Sequence, residues 1–134
     1  MIVVDTNVVA GLLLATEVTA TVEQVHERDP EWGAPPLWRS ELRSVLVGQV
    51  RTRGLDLAAA EACMDLATEI LAPAEQDVPS HRVLRLAMAS GCSAYDCEFV
   101  ALAQLLAVTL VTFDRALLRE FPRLAVSPAE FAAG

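Results

Sequence analysis

The sequence contains no lysine, and all ten of its basic residues are arginines. This absence excludes chemistries that need a lysine. A phosphoacceptor receiver domain and a haloacid-dehalogenase-type phosphatase need one near the acceptor aspartate, and a P-loop needs one at the phosphates. The glycines of a P-loop are missing too, and no G-x-G-x-x-G follows the first apolar run. A dinucleotide-binding role is therefore also excluded.

Long uncharged runs are missing as well. Although 54% of the residues are hydrophobic, no stretch approaches the ~18 apolar residues of a membrane span. The N-terminal residues have no basic region, and Asp5 interrupts their apolar run, which argues against a signal peptide. The three cysteines, Cys63, Cys92 and Cys97, match no metal-ligand or disulfide spacing, so reduced thiols are expected. These features predict a cytoplasmic protein that does not bind membranes.

Acidic residues outnumber basic ones by 18 to 10, which gives a net charge of −8. An acidic chain disfavours general nucleic-acid binding, because phosphates need a basic surface. It is compatible with metal cations or basic partners. The 134 residues fit a single domain, residues 1–134. The high apolar content excludes an intrinsically disordered chain.

Short β-branched apolar runs alternate with segments of helical periodicity. Strands are predicted at residues 2–4, 32–35, 71–73, 109–113 and 124–126. Helices are predicted at residues 16–27, 37–51, 57–70, 80–89 and 93–106, with Asp56 as a possible cap for the third, a short helix after Asp114 and a final turn from Ser127. This alternation predicts an α/β fold: a three-layer α/β/α sandwich with a mainly parallel central sheet.

Carboxylates stand where such a fold binds ligands, beyond the carboxyl ends of the strands. Asp5 directly follows the first strand, and Asp114 lies just past the strand at 109–113. Glu41 and Asp96 lie in the first turns of two helices. If the four side chains converge, they raise one another's pKa unless a cation compensates. Mg²⁺ or Mn²⁺ is the natural compensation for oxygen ligands.

Each carboxylate also has an ordinary structural role open to it. Asp5 can accept hydrogen bonds from turn amides, and Asp114 can cap the helix after it. Asp96 stands three residues after Ser93, which matches a capping box. Glu41 can pair with an arginine on its helix surface. Taken one at a time, the residues leave both roles open.

Together, the four acidic segments resemble the PIN-domain family, and specifically the VapC-type toxins of bacterial toxin–antitoxin pairs. The resemblance covers essentially the whole chain. Its motifs, in order, are Asp5-Thr6-Asn7, Ser40-Glu41-Leu42, Ser93-Ala94-Tyr95-Asp96 with Val100-Ala101-Leu102-Ala103 behind it, and Leu110-Val111-Thr112-Phe113-Asp114. The Asp-x-Asn start and the Tyr-Asp-x-x-x-Val-Ala-Leu-Ala helix are the more specific motifs. Cys97 replaces a residue that is often small in the family.

The resemblance implies an endoribonuclease that hydrolyses RNA phosphodiesters with Mg²⁺ or Mn²⁺. It assigns Asp5, Asp96 and Asp114 as metal ligands, with Glu41 holding a second metal or orienting the attacking water. Supporting polar positions are implied at Thr6, Asn7 and Thr112. Arginines near the acidic residues in sequence are expected to help hold RNA: Arg39, Arg43 and Arg115.

The resemblance also implies partners. The predicted helices carry more apolar residues than the core of one small domain needs. This surplus is consistent with a homodimer and with a groove for an antitoxin peptide. Two alternatives stay open. One is a PIN-type nuclease of RNA maturation or quality control, and the other is a PIN-like binding module without activity. Small size without an appended RNA-binding domain favours the toxin.

Overall fold

The computed structural model describes the whole chain, residues 1–134. Four parallel strands form one sheet in the order β2-β1-β3-β4. They are β1 (Ile2–Val4), β2 (Trp32–Gly33), β3 (Leu110–Val111) and β4 (Ala125–Val126). All three residues of β1 are buried, as expected for a central strand covered on both faces. The parallel sheet confirms the main feature of the predicted fold.

Eight helices accompany the sheet. They are α1 (Thr6–Leu13), α2 (Thr19–Arg28), α3 (Leu37–Arg53), α4 (Leu57–Leu71), α5 (Ser80–Ser90), α6 (Ala94–Leu106), α7 (Arg115–Glu120) and α8 (Pro128–Ala133). Gly54 and Gly91 end α3 and α5 with φ of 73° and 75°, a backbone region that glycine enters without steric cost. No helix has the length and apolar character needed to cross a bilayer. The arrangement is the α/β sandwich that the sequence predicts.

One apolar core of 25 buried residues joins the sheet to its helices. Trp32 and Trp38 have no exposed surface. Truncating either to alanine typically costs about 3–5 kcal/mol. A second, smaller cluster lies between α5 and α6 and consists of Val83, Cys97 and Ala101. The two clusters together fix α6 between the sheet and α5.

The strand predicted at residues 71–73 is wrong. Helix α4 continues through Leu71, which has no exposed surface, and a 3-10 turn (Ala72–Ala74) follows. Burial of Leu71 on the apolar stripe of α4 extends the helix over the first residue of the supposed strand. Extended pairing begins later, where Glu75 bridges Ala34 in parallel.

Two other local predictions need correction. Asp56 occupies the position before α4 but makes no capping hydrogen bond. The helix predicted from residue 16 begins at Thr19 instead. The Thr16 hydroxyl accepts a hydrogen bond from the Val18 backbone N–H, and Thr19 Oγ1 donates to the carbonyls of Gly11 and Leu14. These bonds hold residues 16–18 in a turn that the periodicity could not reveal.

Candidate active site

Asp5 lies at the carboxyl end of β1 and is the N-cap of α1. Its Oδ1 accepts a hydrogen bond from the Thr6 backbone N–H at 2.7 Å, and its Oδ2 accepts one from Thr112 Oγ1 at 2.8 Å. Only 8% of the residue is exposed. Asp5 therefore fills the ordinary turn role and also directs a carboxylate to the edge of the sheet.

Thr112 connects the two strand ends of the site. Besides donating to Asp5, its fully buried hydroxyl accepts a hydrogen bond from the Asp114 backbone N–H at 3.0 Å. Asp114 in turn caps α7, because its Oδ1 accepts from the Leu117 backbone N–H at 3.0 Å. A single hydroxyl thus sets the positions of two acidic residues that are 109 positions apart in the sequence, 5 and 114.

Glu41 reaches the same place from α3. The Thr6 hydroxyl donates to Glu41 Oε1 at 2.8 Å and holds this side chain against the start of α1. Glu41 takes part in none of the ion pairs of the chain. The alternative role of a surface Glu–Arg pair is therefore not realised.

Asp96 is in the first turn of α6. The Ser93 hydroxyl accepts a hydrogen bond from the Asp96 backbone N–H at 3.0 Å, so Ser93 caps the helix as the sequence predicts. The cap uses the backbone of Asp96. Its carboxylate lines the pocket.

All four carboxylates line one open pocket of about 260 Å³. The structure therefore brings the sequence-predicted acidic residues together. Thr6 and Asn7 line the pocket too, whereas Thr112 supports it from beneath through Asp5. Two lining residues, Ser44 and Val45, were not predicted. They lie three and four positions after Glu41 and share its helix face, so helical spacing held the signal.

The pKa values of three pocket carboxylates are raised. Burial raises the pKa of Asp5 to about 6, against hydrogen bonds from Thr112 and Thr6 that lower it, and the charges of Glu41 and Asp96 add to the rise. Burial also raises the pKa of Glu41 and of Asp96, helped at Glu41 by the charge of Asp96 and at Asp96 by that of Asp114. The pocket therefore holds negative charge at a cost that a bound cation would remove.

The donor set fits a hard divalent cation. Every ionisable group in the pocket is a carboxylate, and hydroxyl and amide oxygens accompany them. No three His, Cys, Asp or Glu side chains are close enough to form a ready-made metal cage. A volume of about 260 Å³ holds several waters, each with roughly 30 Å³. Mg²⁺ usually keeps several waters and takes one or two carboxylates directly, which suits this spacing.

None of the three predicted RNA-binding arginines lines the acidic pocket. Arg39 Nε pairs with Glu75 Oε1 at 2.8 Å, and its guanidinium lies 4.9 Å from the centre of the Trp38 ring. Arg43 lines a different, apolar pocket. Arg115 is the first residue of α7, directly after Asp114. Their contact with RNA stays a prediction.

Glu98 is two residues after Asp96, which turns it about 200° around the helix, and it does not line the pocket. Its charge nevertheless contributes to the raised pKa of Glu41. The negative charge that acts on Glu41 therefore comes from outside the pocket as well as from within it.

Comparison with known proteins gives a family and two related folds. The family model described as "PIN domain" matches residues 2–124. Among solved structures, PAE2754 from Pyrobaculum aerophilum is similar, with a TM-score of 0.77 and 23% identity over 99% of this chain and 97% of that one. A toxin–antitoxin complex from Klebsiella pneumoniae is also similar, with a TM-score of 0.72 and 19% identity over 96% of this chain and 98% of that one. No curated protein sequence matches.

Proposed function

The chain belongs to the PIN-domain family, and from that premise we propose that it is a metal-dependent endoribonuclease, the toxin of a toxin–antitoxin pair. PIN domains are generally nucleases. The choice of RNA as substrate, of Mg²⁺ or Mn²⁺ as cofactor and of the toxin role are parts of the proposal. The fold shared with a toxin–antitoxin complex supports the last of these.

One observation carries the proposal: four carboxylates from four distant segments line a single pocket at the carboxyl edge of the sheet. Asp5 follows β1, Asp114 follows β3, and Glu41 and Asp96 come from α3 and α6. Structural roles alone do not account for this convergence. A cap or turn aspartate needs only its own backbone neighbours, yet the charges of neighbouring pocket carboxylates also help to raise the pKa of Asp5, of Glu41 and of Asp96.

The chain's own residues divide the work of hydrolysis. Asp5, Asp96 and Asp114 would hold the cation, directly or through its bound waters, and Thr112 fixes Asp5 for that task. A bound Mg²⁺ or Mn²⁺ ion supplies Lewis-acid activation of water and neutralises charge at the phosphate. Glu41, oriented by Thr6, accepts the proton of the attacking water. Its raised pKa brings it nearer the value that suits a general base.

The test is cleavage of total cellular RNA by the purified chain with Mg²⁺ or Mn²⁺, with and without EDTA. Asp5→Asn and Asp96→Asn should each abolish cleavage. Asp65→Asn is the matched control, because Asp65 is an exposed aspartate on α4 outside the pocket. Cleavage that persists in EDTA and in both pocket variants would show that the carboxylates are not the active site.

We place the antitoxin in the apolar groove between α3 and α4. Leu46, Val47, Val50, Leu57 and Met64 are among its nine lining residues. Leu57 is 66% exposed and Val47 44% exposed, so large apolar side chains face solvent there. Arg43 and Arg51 also line the groove, against one acidic residue, Glu61. This surface fits an amphipathic helix with acidic residues at its margins.

A charge placed in this groove tests the docking site. Leu57→Asp should weaken binding of the cognate antitoxin while RNA cleavage by the free chain is retained. Leu84→Asp is the control, because Leu84 is a similarly exposed leucine on α5 outside the groove. Equal binding of the antitoxin by both variants would show that the groove is not its docking site. The homodimer also stays a proposal, and the mass of the purified chain in solution tests it.

A further inference from the structure

Two of the three cysteines flank the first turn of α6, the turn that carries Asp96. Ser93 is the N-cap of this helix. Cys92 directly precedes the cap, and Cys97 is the fourth residue within the helix. Side chains at these two positions pack against each other in the hydrophobic staple, a recurrent contact at helix starts. The spacing of five residues alone does not predict a disulfide, because the contact between the two positions depends on where the helix begins.

The contacts of this turn bring both cysteines to one place. Cys97 belongs to the small cluster between α5 and α6, and Cys92 packs against that cluster. The Ser90 hydroxyl contacts both residues: its Oγ is 3.8 Å from Cys97 Sγ and accepts a hydrogen bond from the Cys92 backbone N–H at 3.1 Å. The same hydroxyl donates to the Leu86 carbonyl, which ties the turn to α5.

The two thiols differ in access to solvent. Cys97 has no exposed surface, whereas Cys92 is only half-buried. Cys63 belongs to the main core, where its Sγ is 3.7 Å from the Leu13 carbonyl oxygen, far from this pair in the packing. A small oxidant therefore reaches Cys92 first, and the nearest thiol that can react next is Cys97.

We propose that Cys92 and Cys97 are a modification site, a dithiol that a peroxide oxidises to a disulfide across the first turn of α6. The inference goes beyond the nuclease activity and concerns only the covalent state of the turn. Any effect of the disulfide on RNA cleavage, through Asp96, rests on the proposed function.

The chemistry balances with one peroxide. The Cys92 thiolate attacks one oxygen of the peroxide: the S–O bond forms, the O–O bond breaks, and the departing hydroxide takes up the one proton that the thiol had released and leaves as water. Cys97 sulfur then attacks the Cys92 sulfenic acid: the S–S bond forms, the S–O bond breaks, and the hydroxyl leaves as water with the Cys97 proton. Two thiols lose two electrons, and one peroxide is reduced to two waters.

Closure of the ring constrains the turn that contains Ser93 and Asp96. Chain-entropy arguments for so small a ring give a rise in the melting temperature of roughly 5 °C. Dithiothreitol should reverse the rise, since a thiol reductant returns both cysteines to thiols. The melting curve therefore measures the same event as the covalent analysis, without any use of RNA.

The experiment treats the full chain with hydrogen peroxide and locates oxidation by peptide mass spectrometry. We expect a Cys92–Cys97 disulfide, marked by the loss of two hydrogen atoms, in wild type and equally in Cys63→Ala. Cys92→Ser should form no disulfide and show no reversible rise in melting temperature. The proposal is overturned if wild-type Cys92 accumulates as sulfinic acid or links to a second chain.

Discussion

Replacement of Asp5 by asparagine should stabilise the protein while it abolishes activity. The carboxylate is 8% exposed, and burial raises its pKa from 3.8 to about 6. A shift of that size corresponds to about 3 kcal/mol of destabilisation when the group is charged. Asparagine keeps the shape and removes the charge. Its Oδ1 can accept from the Thr6 N–H, and its Nδ2 can donate to the Thr112 hydroxyl, so a hydrogen bond to each partner remains, the second with its direction reversed.

The direction in which pH changes the stability depends on whether the folded or the unfolded chain binds the Asp5 proton more tightly. Between roughly pH 4 and pH 6 the folded chain binds the Asp5 proton more tightly than the unfolded chain does, so the unfolding free energy falls as pH rises through that window. Above that pH window, the charged Asp5 carboxylate destabilises the folded chain by the full amount. The gain from Asp5→Asn should therefore reach up to about 3 kcal/mol at pH 8 and vanish below about pH 4.

Denaturant unfolding followed by circular dichroism, in EDTA at pH 8 and pH 4, measures this difference. Asp65→Asn removes an exposed aspartate on α4 and should change the unfolding free energy by less than about 0.5 kcal/mol at either pH. The reasoning is refuted if Asp5→Asn unfolds at the same or lower denaturant concentration than wild type at pH 8. A gain that is equal at both pH values would also refute it, because burial of charge could not be its source.

Three further predictions concern Thr112, Thr6 and the two arginines Arg39 and Arg115. Thr112→Val removes the donor to Asp5 and the acceptor for the Asp114 N–H, so RNA cleavage rates should fall about 10–100-fold. Thr6→Val releases Glu41 and should lower kcat, while Thr6→Ser, which keeps the hydroxyl, should restore it. Arg39→Gln breaks the pair with Glu75 and should lower the unfolding free energy by about 1 kcal/mol or less. Arg115→Gln should reduce the slope of the salt dependence of RNA binding by about 1.

Most strands and helices of the fold could be predicted because their sequences carry periodic or β-branched signals. Helix α1 is the exception. The apolar run from Val8 was visible, but α1 buries Thr6, Val8, Val9, Ala10 and Gly11 together. A helix buried on most sides lacks the alternation of polar and apolar residues that identifies an amphipathic helix.

The candidate site could also be predicted only in part: the positions of its acidic residues could, and the hydrogen bonds that orient them could not. Asp5, Asp96 and Asp114 follow strands or begin helices, and elementary topology places such residues at one edge of the sheet. The bonds that orient them span distant segments, and local patterns do not contain that information. Thr112 bonding to Asp5 is one case, and Arg39 bonding to Glu75, 36 residues away, is another.

A calorimetric titration of the purified chain with Mn²⁺ at pH 8 most directly tests whether the carboxylates share one cation. Wild type and Asp65→Asn should bind the ion with the same affinity, while Asp5→Asn, Asp96→Asn and Asp114→Asn should each bind it at least tenfold more weakly. Because these three residues come from different parts of the chain, a common loss can arise only from a common site. Unchanged Mn²⁺ affinity in all three variants would contradict the account.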